Sequence, residues 1–301
     1  MTQMKALIKR NIKLYFKDKA LFFTSLITPM ILLVLYSTFL GKVYEDSFRS
    51  ALEAAGASVS DELIRGCVAA QLISSLLAVI CVTVAFTSNM LMVQDKITGA
   101  RRDLIMTSVK NRTLAISYFA ANLFSTLMIC GAATVVGLIY MYVSGWYMTF
   151  TDIMLLLLDV VLLSLFGAVL SGIINFFISS NGQMSAVGTI ISAGYGFICG
   201  AYMPISQFSA GLQKVISFLP GTYATSLLRN HTLRGVFEEM SDSGFPKEVV
   251  EGIKDSVDCN LYFFDDKVSI SSMYITLIAS IAVLLAIYVP MGVLLKRKSK
   301  R

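Results

Sequence analysis

Histidine is almost absent: the single copy in 301 residues is His231. Zinc sites of the HExxH type need two imidazoles, and neither they nor histidine-based triads find support within one such chain. No G-x-x-x-x-G-K-[ST] occurs, which excludes a P-loop cradle for nucleotide phosphates, so any energy that drives this chain arrives from elsewhere. Charge is scarce too, at 15% of residues against 56% hydrophobic, with a mean hydropathy of +0.72. That balance argues against the soluble classes and places the chain among integral membrane proteins. The five cysteines form no metal-binding pattern.

What is present is apolar length. A helix needs about 20 residues to cross roughly 30 Å of hydrocarbon. Runs 21–40, 67–93, 114–143, 183–203 and 270–295 carry no charge, and a sixth, 153–178, is interrupted only by Asp159. The expected fold is all-α integral membrane, with six transmembrane helices in a single domain over residues 1–301. The first run is read as a retained span rather than a cleaved leader, because it contains Pro29 and has no small-x-small site before Gly41.

Lysine and arginine set the orientation. Residues 1–20, 94–113, 179–182 and 296–301 hold 16 of them in 50 residues, whereas 42–66, 144–152 and 204–269 hold 9 in 100. The bias places both termini in the cytoplasm. The net charge of +6 sits in patches at the ends of apolar runs, so it reads as an orientation signal, and no nucleic-acid partner is expected. Within residues 1–20, Met4, Leu7, Ile8, Ile12 and Tyr15 fall on one helical face and Lys5, Lys9, Lys13 and Lys17 on another. Such a helix lies in the membrane interface; a bare stop-transfer charge cluster is the plainer reading.

On the outer side, Cys67 and Cys259 are candidates for a disulfide in an oxidising exterior. Asn230-His231-Thr232 fits a glycosylation acceptor. Cys81, Cys130 and Cys199 lie inside spans as small hydrophobes.

The loop at 94–113, QDKITGARRDLIMTSVKNRT, is strongly charged at its start, with Leu104, Ile105 and Met106 in the middle and Gly99 allowing a tight bend before them. A short amphipathic element there suits docking into a soluble partner; a solvated connector is the alternative. This loop resembles the one after the second span in permeases of type 2 ATP-binding-cassette exporters, where an acidic-basic pair, Gly and Leu precede Thr-Pro-Val. Asp95, Lys96, Gly99, Leu104, Thr107 and Val109 match in order, while Ile97, Arg102 and Ser108 depart from that pattern.

A second stretch resembles the same family. In GAYMPISQFSAGLQKVISFLPGTYATSLLR, a glycine-rich end of the fifth span is followed by Pro204, a broken apolar segment, Pro220, Tyr223 and Arg229. Non-helical backbone at membrane depth is tolerated only where protein or water satisfies it. Residues 204–228 are therefore expected to form a re-entrant helical hairpin on the outer face between spans five and six. It would turn at Gly211, with Ile205, Phe208, Val215, Ile216, Phe218 and Leu219 against the bundle and Lys214 snorkelling; a surface amphipathic helix is the plainer reading. Residues 229–269 are expected to be an outer loop.

The resemblance, which covers nearly the whole chain, implies a permease subunit whose coupling helix receives movement from an ATPase. Gly99, Arg101, Arg102, Leu104 and Thr107 would contact that ATPase, and Pro204, Phe208, Pro220 and Tyr223 would shape an outer gate. It implies two ATPase subunits that bind ATP and magnesium, a second permease, identical or paralogous, and no cofactor on this chain. The setting is the plasma membrane of a prokaryote, and the cargo an amphipathic drug, antibiotic, peptide or lipid-like molecule moved outward by alternating access. Gly196 and Gly200 form a G-x-x-x-G, and Gly167, Ala168, Ser171 and Gly172 have similar spacing; these residues would allow close helix packing, within one subunit or across a dimer. Asp159, roughly 9 Å from the outer end of its helix at 1.5 Å per residue, is either a pore acid or a wetted interfacial one. A stand-alone secondary transporter or channel is the alternative, and it would call for several buried ionisable groups or paired broken helices.

Overall fold

The computed structural model describes residues 2–54, 60–107, 109–264 and 266–298. Helix α1 (Thr2–Lys17) buries Leu7, Asn11 and Tyr15, one per turn, and exposes Lys5, Lys9, Lys13 and Lys17. The two expected faces are therefore present. Asp18 breaks the helix by accepting from the Leu21 backbone N–H at 3.1 Å, so that α2 (Lys19–Leu35) starts afresh at 70° to α1. The Tyr15 hydroxyl donates to Ser25 Oγ at 3.1 Å and pins the corner.

α2 does not stop near residue 40 as expected. It passes through a π turn at Tyr36–Leu40 into α3 (Gly41–Ala54), which takes up much of the presumed 42–66 loop. Next come α4 (Asp61–Ile97), α5 (Ala100–Met106), α6 (Asn111–Ser144), α7 (Phe150–Phe177) and α8 (Asn181–Ile198). Short connections make successive long helices antiparallel. α4 is the hub: 94% of its most apolar window is buried, against α2, α6, α7 and α8.

Among the described residues, four helices are long and apolar enough to cross a membrane: α4, α6, α7 and the last helix, α12 (Ile270–Lys298). The bent pair of α1 and α2 would make a fifth. α8, the expected fifth span, has 18 residues and ends at Ile198 rather than 203. Polar Asn181 and Gln183 at its start and the glycines along it dilute its apolarity, and about 27 Å of helix falls just short of the hydrocarbon thickness.

The largest departure from expectation lies beyond Pro204. A 3-10 turn (Ile205–Gln207) and a seven-residue helix, α9 (Ala210–Ile216), lead to α10 (Pro220–Asp242), a 23-residue helix opened by Pro220. α10 packs among α4, α7 and α12, so residues 229–242 are helical and not loop. α11 (Lys247–Ser256) and a small hairpin of β1 (Tyr262–Phe263) and β2 (Asp266–Lys267) complete the segment before α12. α10 escapes a hydropathy reading because Arg229, Asn230 and His231 lie in its middle, and only the fold supplies their partners.

Small residues do close one helix contact. At Gly167 an added Cβ would lie 3.0 Å from the Cys81 carbonyl oxygen and 3.1 Å from Val82 Cα, both backbone atoms of α4. Gly167→Leu is expected to cost about 1–3 kcal/mol through overpacking, read as a lower apparent melting temperature. Within this chain, Gly196 and Gly200 do not form one helix-packing face. Tyr202 of the same chain covers Gly196, and Gly200 (φ 74) lies past the end of α8 in a Schellman turn, where the Ala201 N–H donates to Gly196 O at 2.8 Å and the Gly200 N–H to Phe197 O at 3.1 Å.

Candidate coupling face and gate

The molecule has two unlike ends. At the basic end, carrying α1 and α5, Gly99 (φ 84) turns the chain into α5, and its carbonyl accepts from Arg102 N at 2.8 Å and Asp103 N at 3.2 Å. A side chain there would meet nothing within 4 Å, so glycine is needed for its backbone conformation alone. Gly99→Ala is expected to cost about 1–2 kcal/mol, and Gly99→Asn less because asparagine enters the left-handed region more readily; apparent melting temperatures give the order.

α5 is seated, not free. Leu104, Ile105 and Val109 pack on Leu7 of α1, Met92 of α4, and Leu114 and Tyr118 of α6. Arg101 is half-buried, and burial pulls it below the usual guanidinium range while Tyr118 and Tyr288 act the other way. Arg102, Asp103, Met106 and Thr107 point outward, Met106 being 79% exposed. Of the five residues expected at a docking surface, Arg102 and Thr107 are thus presented, Gly99 shapes the turn, and Arg101 and Leu104 lean into the bundle.

Two bracing groups at this end are invisible to sequence reasoning. Arg10 of α1 grips Asp95 of α4 with two nitrogens, at 2.7 and 3.1 Å, and Tyr118 donates to the same carboxylate at 2.5 Å. Lys96 Nζ donates to the carbonyls of Asn175, Phe176 and Ile178, at 3.1, 2.6 and 3.0 Å, closing the C-terminal end of α7. The Asp95-Lys96 pair was visible as a motif, but its partners lie tens of residues away and no local pattern reveals them.

At the opposite end, Arg229 is wholly buried. It donates to Asp258 Oδ2 at 2.9 Å, Gly200 O at 2.6 Å and Ser75 Oγ at 3.2 Å. In the orientation that satisfies both groups, the Gln71 amide oxygen accepts from Arg229 Nε at 3.3 Å. Asp258 Oδ2 also takes the Ile205 N–H at 2.9 Å. Burial pushes Asp258 up and the neighbouring Arg229 pulls it back. One guanidinium therefore ties α4, the turn after α8, the stretch after Pro204 and the loop after α11 to α10.

Asp159 is neither wetted nor open to a pore in this structure. It is buried between α7, α10 and α12, with Oδ2 2.5 Å from His231 Nδ1 and Oδ1 accepting from the Tyr274 hydroxyl at 2.6 Å. Its partner His231 sits on a helix that the sequence presents as a polar loop. Asn230, in the middle of α10, is likewise engaged: its Nδ2 donates to Cys259 O at 2.6 Å and Ser226 O at 2.9 Å, which overturns the glycosylation reading. Cys67 and Cys259 are buried and unbridged.

Around the expected gate, Gly211 lies inside α9, and the chain turns instead at Ser217–Leu219. The Tyr223 hydroxyl donates to Ser217 O at 2.5 Å and fastens that turn to α10. Pro204 and Pro220 bracket the segment, with Phe208 half-buried between them. Ile216 is buried as expected, whereas Val215 and Phe218 are 60% and 63% exposed. Phe218 meets Phe263 and Phe264 with ring centroids 5.2 and 6.0 Å away, and Lys214 lies over the Phe264 ring at 5.6 Å.

A cavity of about 940 Å³ runs between α2, α4 and α6. Its walls are apolar from Phe22 and Ile80 upward, and its charged lining residues, Lys42, Glu45 and Arg65, all sit at the end away from α5.

The sequence profile of the ABC-2 type transporters matches residues 2–232, from α1 through α5 and on into α10. The comparison with curated proteins gives no match. A match of that reach takes in the seated α5, the central α4 and the buried Arg229 together: the chain belongs to the ABC-2 type transporter family and is a multi-pass membrane subunit of an ABC transporter.

Proposed function

We propose that this chain is the permease of an exporter in which ATP and magnesium bind on two separate ATPase subunits beneath the basic end. The observation that carries the reading is α5: a short helix whose outer face presents Arg102, Asp103, Met106 and Thr107 and whose inner face rests on α1, α4 and α6. A push on such a helix passes to three membrane elements at once. The bias of lysine and arginine supports a cytoplasmic basic end in a prokaryotic plasma membrane, so that Pro204, Phe208, Pro220 and Tyr223 lie at the outer exit.

Two permeases, identical or paralogous, would alternate between inward and outward access. The cavity favours an amphipathic drug, antibiotic, peptide or lipid-like cargo, because apolar walls end in charge on one side only. Efflux of such molecules would give resistance to some of them.

The test is to purify the tagged chain from its native host in mild detergent and identify what accompanies it by mass spectrometry. A stoichiometric subunit bearing a Walker A sequence, with ATP hydrolysis stimulated by amphipathic compounds after reconstitution, is the expected result. Repeated isolation without such a subunit, together with transport in liposomes lacking ATP, would replace this reading with a secondary transporter.

A further inference from the structure

The cavity between α2, α4 and α6 is graded along its length. Along α4 its wall runs from Ile80 to Arg65, roughly 22 Å of helix at 1.5 Å per residue. One leaflet of a bilayer contributes about 15 Å of hydrocarbon, so an extended acyl chain fits lengthwise. Its rim is open on this chain: Met30 on α2 and Met128 and Val136 on α6 are 57%, 53% and 66% exposed.

The far end carries three charged side chains, and one of them is already engaged. Glu45 pairs with Arg49 at 3.4 Å, and Arg49 also holds Asp61 at 2.9 Å. Lys42 and Arg65 have neither an ion-pair nor a hydrogen-bond partner among the described residues. Two unpaired cations thus stand at the mouth of an apolar groove, on the face of the molecule that is otherwise acidic. Topology does not call for them there, since basic residues gather at the opposite end.

We infer that this groove holds an anionic membrane amphiphile, with its chain against Leu72, Leu76 and Ala133 and its acidic headgroup between Lys42 and Arg65. The inference deepens the exporter reading and rests on it only where the amphiphile is called cargo. Binding itself requires no nucleotide.

The test uses the purified chain, with any subunit that accompanies it, in detergent containing equal amounts of phosphatidylglycerol and phosphatidylcholine of the same chain length. Native mass spectrometry reads the ratio of the two lipids retained. Wild type is expected to favour phosphatidylglycerol by about thirtyfold, the scale set by two basic groups near an anionic headgroup. Lys42→Gln with Arg65→Gln should bring the ratio near one. Val136→Trp, at an exposed rim position, should reduce retention of both lipids without disturbing the core.

A preference that survives the double substitution, or full retention of both lipids in Val136→Trp, overturns the inference. So does a disulfide between two copies bearing Val136→Cys, because it would show that a second subunit covers the groove. Preferential retention without ATP-driven movement of the lipid would leave the binding site standing and remove only its role as a route for cargo.

Discussion

Replacing Arg229 with methionine is expected to cost about 3–5 kcal/mol, the scale for breaking a buried ion pair by removing one partner. Most of that cost comes from what stays behind. Asp258, 5% exposed at its side chain, would keep its charge in a dry site, and the Gly200 carbonyl would lose a donor at 2.6 Å. Removing both charges, as Arg229→Met with Asp258→Leu, should recover much of the loss, because an apolar pair of similar volume carries no desolvation penalty. The measurement is the apparent melting temperature of the two single variants and the double variant in one detergent. If Arg229→Met melts within a degree or two of the native chain, the cluster does not hold α10 in place.

The second large effect is expected at Met106. Met106→Asp places a charge on the outermost apolar side chain of α5, which is 79% exposed and touches none of the cluster beneath. Yield and melting temperature should hold, while ATP-driven transport by the assembled complex falls by about tenfold or more, the loss that roughly 1.4 kcal/mol of partner docking represents. Leu104→Asp should behave differently. Its side chain sits against Leu7, Leu114 and Tyr118, so that change should loosen α5 from α1 and lower stability along with transport. Equal transport by Met106→Asp and wild type would place the docking surface elsewhere on the basic end.

The membrane class, the two-faced α1, the long apolar helices and the position of α5 were legible because each rests on a local pattern: an apolar run, a helical period, or a glycine ahead of a short amphipathic turn. What stayed hidden depends on contacts between distant segments. α10 is polar in the middle and reads as a loop, yet it is interior because Asp258, Asp159, Ser75 and the Cys259 carbonyl complete the hydrogen bonds of Arg229, His231 and Asn230. Gly196 and Gly200 had helix-packing spacing, but spacing does not tell whether the helix runs through both, and it ends between them. Leu104 was expected to face the ATPase but packs inward, since a seven-residue helix gives too few turns to tell the inner face from the outer. Asp159 looked interfacial because its histidine lies 72 residues further along the chain.

α4 is a 37-residue helix without proline, and its only glycine, Gly66, lies in its second turn. At 1.5 Å per residue it is about 55 Å long. Lys96 and Asp95 grip its neighbours at one end, and Gln71 and Ser75 reach Arg229 toward the other. A beam of that length gives geometric gain: a rotation of only about 5° around one end swings the other by roughly 5 Å, one turn of helix. Ser75 lies 20 residues before Asp95, roughly 30 Å along the helix, so the same rotation about the base would reach Arg229 as a shift of about 2.6 Å, comparable to the 3.2 Å bond it makes to Ser75.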